Sequence, residues 1–267
     1  MRLAVLGDPL VYTRSPELHR AGLVALGLEC ESVALRTPAD SLASRLRELA
    51  AAGFTGTNLT HPLKEPVLAL LAQVSPEARA ARSVNTVGFE PAGAWGETTD
   101  GAGFLDLLKA LGRDAAAERV VLHGSGGASR SLALALAAGG CCSVVVASRE
   151  PARAASGWEH IAGARLELAG GDGVAAAHRE ATLIVNATPR STATDPVIPA
   201  GLPRAALLMD LTYGPEPTAW VVAARAAGRE AMDGLGLLVH QARRSLMRWT
   251  GREVPIEPLA RAVGWPQ

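Results

Sequence analysis

The sequence predicts an α/β protein of two domains, and three observations predict it. Strand-like and helix-like segments alternate along most of the chain. The strand candidates are too many for one comfortable sheet. A glycine-rich turn, Gly124-Ser125-Gly126-Gly127, joins a strand to a helix near the middle. Alternation of the βαβ kind implies parallel sheets with helices on their faces.

Taken in order, the strand candidates are Leu3–Leu6, Glu31–Leu35, Thr55–Leu59, Asn85–Phe89, Arg119–His123, Ser143–Ser148, Arg165–Ala169, Leu183–Asn186 and Ala206–Asp210. Helical patterns lie at Ser15–Gly27, Ala39–Ala52, Lys64–Ala72, Gly101–Leu111, Ala128–Ala138 and Thr218–Ala227, with two more at Leu235–Trp249 and Ile256–Val263. Gly101 and Gly103 flank a helix start, and a new strand series begins at Arg119, so the division is expected near Asp100–Gly103. The last two helices need a sheet to cover. Composition alone leaves open whether they return to the first domain, which would place a cleft between the halves.

Composition excludes several classes. Of 267 residues, 48% are hydrophobic and 19% charged, ample for a core and unlike a disordered chain. Lys+Arg and Asp+Glu both total 26, so the basic excess of a nucleic-acid binder is missing. The N-terminal apolar run stops at Gly7-Asp8, which is short for a signal segment and fits a first strand. The longest apolar stretch, Leu132–Ala147, is broken by Gly139-Gly140 and falls short of the ~20 residues of a membrane span. Cys30, Cys141 and Cys142 show no CxxC spacing, and the adjacent pair is expected to be buried thiols. A reducing cytoplasm fits this usage.

Only Lys64 and Lys109 are lysine among the 26 basic residues. Arg serves where only positive charge is needed, but its pKa above ~12 prevents proton exchange. Each lysine is therefore a candidate for chemistry. Lys109, in a helical pattern, is expected to be a solvated surface residue.

Arg119–His123 reads as a buried strand running through Gly124, Ser125, Gly126, Gly127, Ala128 and Ser129 into an Ala/Leu-rich helix. Gly124 suits a tight turn. Gly126 removes a Cβ where backbone must approach a pyrophosphate, and the helix N-terminus offers free N–H groups. Ser129 stands where the third glycine of GxGxxG would be. The unit predicts a Rossmann-type dinucleotide-binding domain. The following strand ends Ala147-Ser148-Arg149, with Arg153 four residues on, in place of the acidic residue typical of NAD sites. Two guanidinium groups there favour the 2′-phosphate of NADP. Glu150 could accept from a ribose hydroxyl or repel that phosphate.

In the first half, polar residues cluster after strands. Ser15, ahead of Pro16, could cap a helix or, with Thr13, bind a carboxylate there. Asn58-Leu59-Thr60-His61-Pro62-Leu63-Lys64 puts a lysine just past a strand end, where open α/β sheets place their chemistry. Ser83-Val84-Asn85-Thr86, Thr98-Thr99-Asp100-Gly101 and Asp233–Gln241 complete the set.

Together these blocks resemble the shikimate dehydrogenase family over nearly the whole chain. The matches are YTRSP, NLTHPLK, SVNT, TTDG, GSGGAS, SR with a following Arg, NAT, a Tyr after the strand at Ala206–Asp210, and DGLGLLVHQ. With this resemblance, the expected organisation is a substrate and catalytic domain of residues 1–101 plus 237–267, with a mainly parallel sheet. An NADP-binding Rossmann domain of residues 102–236 completes it, with a cleft between the two. The resemblance implies that Lys64 is the catalytic lysine, with Asp100 as its partner carboxylate. It implies that Thr13 and Ser15 hold a substrate carboxylate, and that Thr60, Asn85, Asp100, Tyr213 and Gln241 hold ring hydroxyls. It assigns Gly124–Ser129 and Ser148–Arg153 to the cofactor, with Leu211, Gly234 and Leu237 near the nicotinamide. Four departures bear on affinity and specificity: Thr13 for Ser, Thr98 for Asn, Leu237 for Met, and Pro189-Arg190-Ser191 for a small-residue run.

The implied reaction is reversible NADPH-dependent reduction of 3-dehydroshikimate to shikimate, in the pathway to chorismate and the aromatic amino acids. Protonated Lys64 would stabilise and protonate the developing alkoxide. No metal is required. His61 is expected to face away from the site and His240 to pack. Partners are the small-molecule substrate and cofactor, with no nucleic acid or membrane, in a monomer or homodimer. Three alternatives remain: a quinate or other cyclic hydroxy-acid enzyme, perhaps using NAD; a ligand-sensing regulator; and an unrelated Rossmann enzyme such as a folate dehydrogenase.

Overall fold

A computed structural model describes residues 1–148, 150–151, 155, 157–159, 161, 166–188 and 198–266. The chain forms two compact units, Met1–Phe104 with Gly236–Gln267, and Leu105–Leu235.

In the first unit, β1 (Arg2–Gly7) lies parallel to both β2 (Glu31–Arg36) and β3 (Gly56–Leu59). β5 (Thr86–Glu90) runs antiparallel to β3 and to β6 (Gly93–Glu97), and the two-residue β4 (Gln73–Val74) joins the far edge parallel to β6. The order is β2-β1-β3-β5-β6-β4. The strands expected here are present and the sheet is mainly parallel, as expected, in three of its five pairings; the antiparallel pairings are those of β5, after which the short loop permits only a hairpin return to β6. β4 and β6 have no sequence expectation: β4 is too short to show periodicity, and all of β6 but Trp95 is glycine, alanine or polar. Ala4 and Leu6 of β1 face a core with Leu42, Leu46 and Leu49 of α2 (Leu42–Ala51) and with Leu59, Leu63 and Val87. On α1 (Ser15–Ala25), a Cβ at Gly22 would come within 2.4 Å of Leu246, so the missing side chain lets α1 press against the C-terminal helices.

The expected helix at Lys64–Ala72 is not formed. Pro66–Leu70 makes a 3₁₀ turn, and Leu71 is already extended. Pro66, which lacks an N–H, stands at the first position of that turn, with Glu65 before it in the α region. The short α3 (Pro76–Ala81), capped by Ser75 through the Ala78 amide, follows β4.

The second unit has an all-parallel sheet in the order β12-β11-β10-β7-β8-β9. Its strands are β7 (Arg119–His123), β8 (Ser143–Ala147), β9 (Leu166–Ala169), β10 (Leu183–Asn186), β11 (Leu207–Asp210) and β12 (Ala231–Met232). Read from β9, the chain runs 3-2-1-4-5-6, the order of dinucleotide-binding sheets, and it reverses between β7 and β10. Val121, Ile184 and Leu208 are buried among Ala181, Trp220 and Val221. α5 (Gly127–Ala138) follows β7, and α6 (Gly171–Glu180), α7 (Ala219–Ala226), α8 (Leu235–Thr250) and α9 (Ile256–Val263) are the later helices of the described residues. Cys141 is buried, but Cys142 is exposed and donates to the Ala116 carbonyl, correcting the expectation of two buried thiols. Among the described residues no helix is long and apolar enough to cross a membrane.

Candidate active site

Lys64 lies in the loop that leaves β3. Its carbonyl accepts from the Val84 amide at 2.8 Å, and the neighbouring Leu63 is fully buried, so the loop is pinned on both sides of the side chain. Asp100 begins α4 (Asp100–Ala110), where a carboxylate also suits the helix dipole. Lys64 Nζ donates to Asp100 Oδ2 at 2.6 Å, with side-chain exposures of 22% and 6%. The ammonium thus has a solvent-facing side while its partner is interior. Such a buried carboxylate is costly without its cation.

Asn85 ties this pair to the helices. Its Nδ2 donates to Asp100 Oδ1 at 2.8 Å, to Gln241 Oε1 at 2.7 Å and to Thr99 Oγ1 at 2.9 Å, while its Oδ1 accepts from the Thr99 amide at 2.8 Å. Those bonds fix which end of the amide faces the carboxylate. Gln241 reaches Asn85 because α4 and α8 run close together: a Cβ at Gly103 would lie 2.8 Å from the Gln241 backbone nitrogen.

Behind Asn85 is a second tier with no expectation from sequence. Asn58 Nδ2 donates to the Asn85 carbonyl at 2.9 Å, and has Ser245 Oγ at 3.1 Å and Thr86 Oγ1 at 3.2 Å. Thr86 and Ser245 are 2.7 Å apart. His19 Nε2 contacts Asn58 Oδ1 at 2.8 Å, and its Nδ1 contacts Ser32 Oγ at 2.8 Å. Burial drives the His19 pKa down to about 4, only partly opposed by the bond to Asn58. The available signals were polar residues inside strands, Asn58 and Thr86, and Ser245 one helical turn after Gln241 on the same face.

Thr13 and Ser15 lie together at the start of α1. Thr13 Oγ1 accepts from the Ser15 amide at 3.2 Å and is 3.2 Å from Ser15 Oγ. Ser15 is the first helical residue and makes no capping bond, so Thr13 takes the local capping role. Thr60 packs its methyl over Gly7, where a Cβ would collide at 2.3 Å. His61 and Lys109 are exposed. Leu237 is buried in α8, and His240 is buried with its ring edge-on to Trp265 at 5.3 Å.

In the second unit, Gly124 has φ +108°, a conformation that L side chains rarely adopt, and a Cβ there would meet Thr188 Cγ2 at 3.0 Å. Gly126 has φ −79° and would point a Cβ into open space. Ser125 is half-buried, and its carbonyl accepts from Trp158 Nε1 at 3.2 Å. Gly127 and Ala128 open α5. Ser129 is almost fully buried, its hydroxyl without a hydrogen bond, so the third-glycine position serves the packing of helix against sheet. Ser148 Oγ accepts from the Glu150 amide at 3.3 Å. Arg149, Arg153 and Pro189-Arg190-Ser191 lie outside the described residues. Asn186 and Asp210 fix the next two strand ends. The Leu211 amide donates to the Asn186 carbonyl at 2.8 Å, and Thr218 Oγ1 to Asp210 Oδ2 at 2.8 Å; burial raises the Asp210 pKa. A Cβ at Gly234 would collide with the Leu211 carbonyl at 2.2 Å, and Tyr213 sits half-buried in the same loop.

Beside the glycine turn, His123 Nε2 is 2.9 Å from His178 Nε2, the rings stacked at 5.0 Å. Burial, and secondarily His178, lower the His123 pKa to about 4.

Comparison with known proteins identifies the family. Residues 5–87 match the model of the shikimate dehydrogenase substrate-binding domain, and residues 234–263 that of the shikimate 5′-dehydrogenase C-terminal domain. The NADP⁺ shikimate dehydrogenase of Moorella thermoacetica is 36% identical, covering 98% of this chain and 92% of its own. That of Thermus thermophilus is 40% identical over 94% and 93%. The crystal structure of the Thermus thermophilus shikimate 5-dehydrogenase with NADP(H) and shikimate superposes with a TM-score of 0.86, at 36% identity, covering 99% of this chain and 98% of that one. With likeness of this extent in both sequence and fold, the chain belongs to the shikimate dehydrogenase family.

Proposed function

We propose that this protein catalyses the reversible NADPH-dependent reduction of 3-dehydroshikimate to shikimate. The observation that carries the reading is the Lys64–Asp100 pair at 2.6 Å, held by Asn85 and Gln241. NADP, when bound, exchanges the hydride with the substrate carbon. This chain's residues do the rest. As the carbonyl oxygen gains charge, the Lys64 ammonium donates a hydrogen bond and then its proton. Asp100 holds that ammonium in place and keeps one oxygen toward Asn85. In the reverse direction neutral Lys64 takes the hydroxyl proton.

The second unit fits a dinucleotide on its own geometry. Gly126 leaves open space beside the α5 N-terminus, and Gly124 makes the turn that exposes those amides. Gly124–Ser129, Ser148, Arg149 and Arg153 would hold the cofactor's phosphates and ribose, with Leu211, Gly234 and Leu237 toward the nicotinamide. Thr13 and Ser15 would take the substrate carboxylate. Thr60, Asn85, Asp100 and Gln241 would take its hydroxyls, and the sequence resemblance adds Tyr213. Residues 1–101 with 237–267 would then be the substrate domain and 102–236 the cofactor domain. We place the enzyme in the cytoplasm as a monomer or homodimer without a nucleic-acid partner, on its balanced charge and thiol usage.

The test is direct. Purified protein is given shikimate or quinate, each with NADP or NAD, and reduced cofactor is followed by absorbance. The highest kcat/KM is expected with shikimate and NADP. A preference for quinate or NAD would move the assignment to another dehydrogenase, and no turnover with any pair would overturn it.

A further inference from the structure

The second tier behind Asn85 has a determinable direction. Asn58 Nδ2 faces the Asn85 carbonyl at 2.9 Å, and a carbonyl can only accept. The nitrogen end of Asn58 is therefore fixed toward Asn85, and its Oδ1 is fixed toward His19 Nε2 at 2.8 Å. An amide oxygen can only accept as well, so His19 must carry its proton on Nε2. His19 is fully buried, and burial holds it neutral, so its Nδ1 bears a lone pair that accepts from Ser32 Oγ at 2.8 Å. Every link now points one way: Ser32 donates to His19, His19 to Asn58, and Asn58 to Asn85.

The far end of this chain is the proposed active site. Asn85 Nδ2 contacts Asp100 Oδ1 and Gln241 Oε1. Ser245, which Asn58 also reaches at 3.1 Å, donates back to the Gln241 carbonyl at 3.0 Å. If the His19 donor is lost, Asn58 Oδ1 is left buried and unpaired, and the amide gains a reason to rotate. Rotation would set its oxygen against the Asn85 carbonyl and loosen both Asn85 and Gln241.

We propose that His19 is a positioning residue for the dehydrogenase reaction, acting as the neutral Nε2–H tautomer that orients Asn58 and through it Asn85 and Gln241. It touches no substrate and exchanges no proton in turnover. The proposal rests on the functional reading above.

Wild-type oxidation of shikimate with NADP is measured first; its absence would count against that reading, while the tautomer measurement below would still judge the relay. Nitrogen-15 NMR of the histidine rings of the wild-type protein should show His19 protonated on Nε2 alone at neutral pH. A proton on Nδ1 would overturn the proposal, and this needs no variant to fold. His19→Leu removes the donor at similar bulk. It should lower kcat/KM for shikimate by about ten- to a hundredfold, the range expected for one unsatisfied buried polar group, with the KM for NADP unchanged. His19→Gln, which can still donate to Asn58, should recover most of that loss. Unchanged shikimate kinetics in His19→Leu would sink the proposal. So would equal losses in both variants that track melting temperature and fall on both substrates alike.

Discussion

Asn85 and Lys64 divide the Asp100 carboxylate between them, Asn85 taking Oδ1 at 2.8 Å and Lys64 taking Oδ2 at 2.6 Å. Each oxygen is satisfied from a different segment, one from the residue just before β5 and one from the loop after β3. The carboxylate can neither rotate toward solvent nor give up its cation without breaking a bond in a largely buried place. This leaves the ammonium, not the carboxylate, as the mobile and solvent-facing partner.

Lys64→Met should therefore separate chemistry from assembly. Asp100 keeps its bond to Asn85, so the fold should persist, but the buried carboxylate loses its cation and the melting temperature should fall clearly. Turnover should drop by the ~10²–10⁴-fold typical of a lost general acid or base, with the KM for shikimate changed far less. Steady-state kinetics beside a thermal melt check both halves. Near-normal kcat would remove Lys64 from the chemistry.

Asn85→Asp should be worse than its size suggests. It exchanges the Nδ2 donor for an oxygen that faces Asp100 Oδ1 and Gln241 Oε1 at hydrogen-bond distance. Two carboxylates so close cannot both ionise. At neutral pH, kcat/KM for shikimate should fall on the order of a hundredfold, comparable to losing a ~3 kcal/mol hydrogen bond to a charged group. Activity relative to wild type should rise as pH is lowered and a shared proton bridges the pair. A pH-independent loss would show that the amide acts by shape alone.

The contrast between these residues and those behind them shows what the sequence could reveal. Lys64 stood out because lysine is so rare in this chain, and Asp100 because it lies in a polar block at a helix start. The glycine turn was legible because its φ and its open side are local requirements. Strands β7, β8, β10 and β11 of the second unit were legible as apolar runs buried on both faces. The hairpin partner β6 was not, since Gly93, Ala94 and Gly96 carry no alternation. The His19–Asn58–Ser245 tier joins residues 39 and 187 positions apart, and nothing local marks such a pairing. Lys64–Ala72 misled in the opposite way: its apolar spacing was helical, but only Pro66–Leu70 turns, as a 3₁₀ segment, before Leu71 extends.

Acid should destabilise the protein before its carboxylates titrate. His19 and His123 are both held near pKa 4 in the folded state, mainly by burial, against 6.5 unfolded. A lowered folded pKa means the unfolded chain binds the extra proton. The stability each neutral histidine contributes is full above about pH 6.5 and is lost as pH falls through about 4. For His19 the span amounts to about 3 kcal/mol. Melting temperature should fall steadily from pH 6.5 to 4.5, and His19→Gln should flatten part of that slope. A wild-type profile level across this range would show that neither ring is held neutral.

The glycine turn gives a paired prediction, because its two glycines are needed for different reasons. At Gly124 an alanine would sit at φ +108° and press within 3.0 Å of Thr188, so strain alone should cost about 1–3 kcal/mol. Gly124→Ala should lower both melting temperature and NADPH affinity. At Gly126 the backbone is ordinary, φ −79°, and an added methyl meets nothing in the protein. Gly126→Ala should then melt within about 0.5 kcal/mol of wild type, as surface substitutions usually do. Its cost should appear only when a pyrophosphate must approach that backbone: the Kd for NADPH should rise at least about tenfold, ~1.4 kcal/mol, with the KM for shikimate little changed. Calorimetric titration of each variant with NADPH, beside its thermal melt, measures the split. If Gly126→Ala binds NADPH as wild type does, the phosphates do not pass over this turn, and the open space beside the α5 N-terminus serves something else.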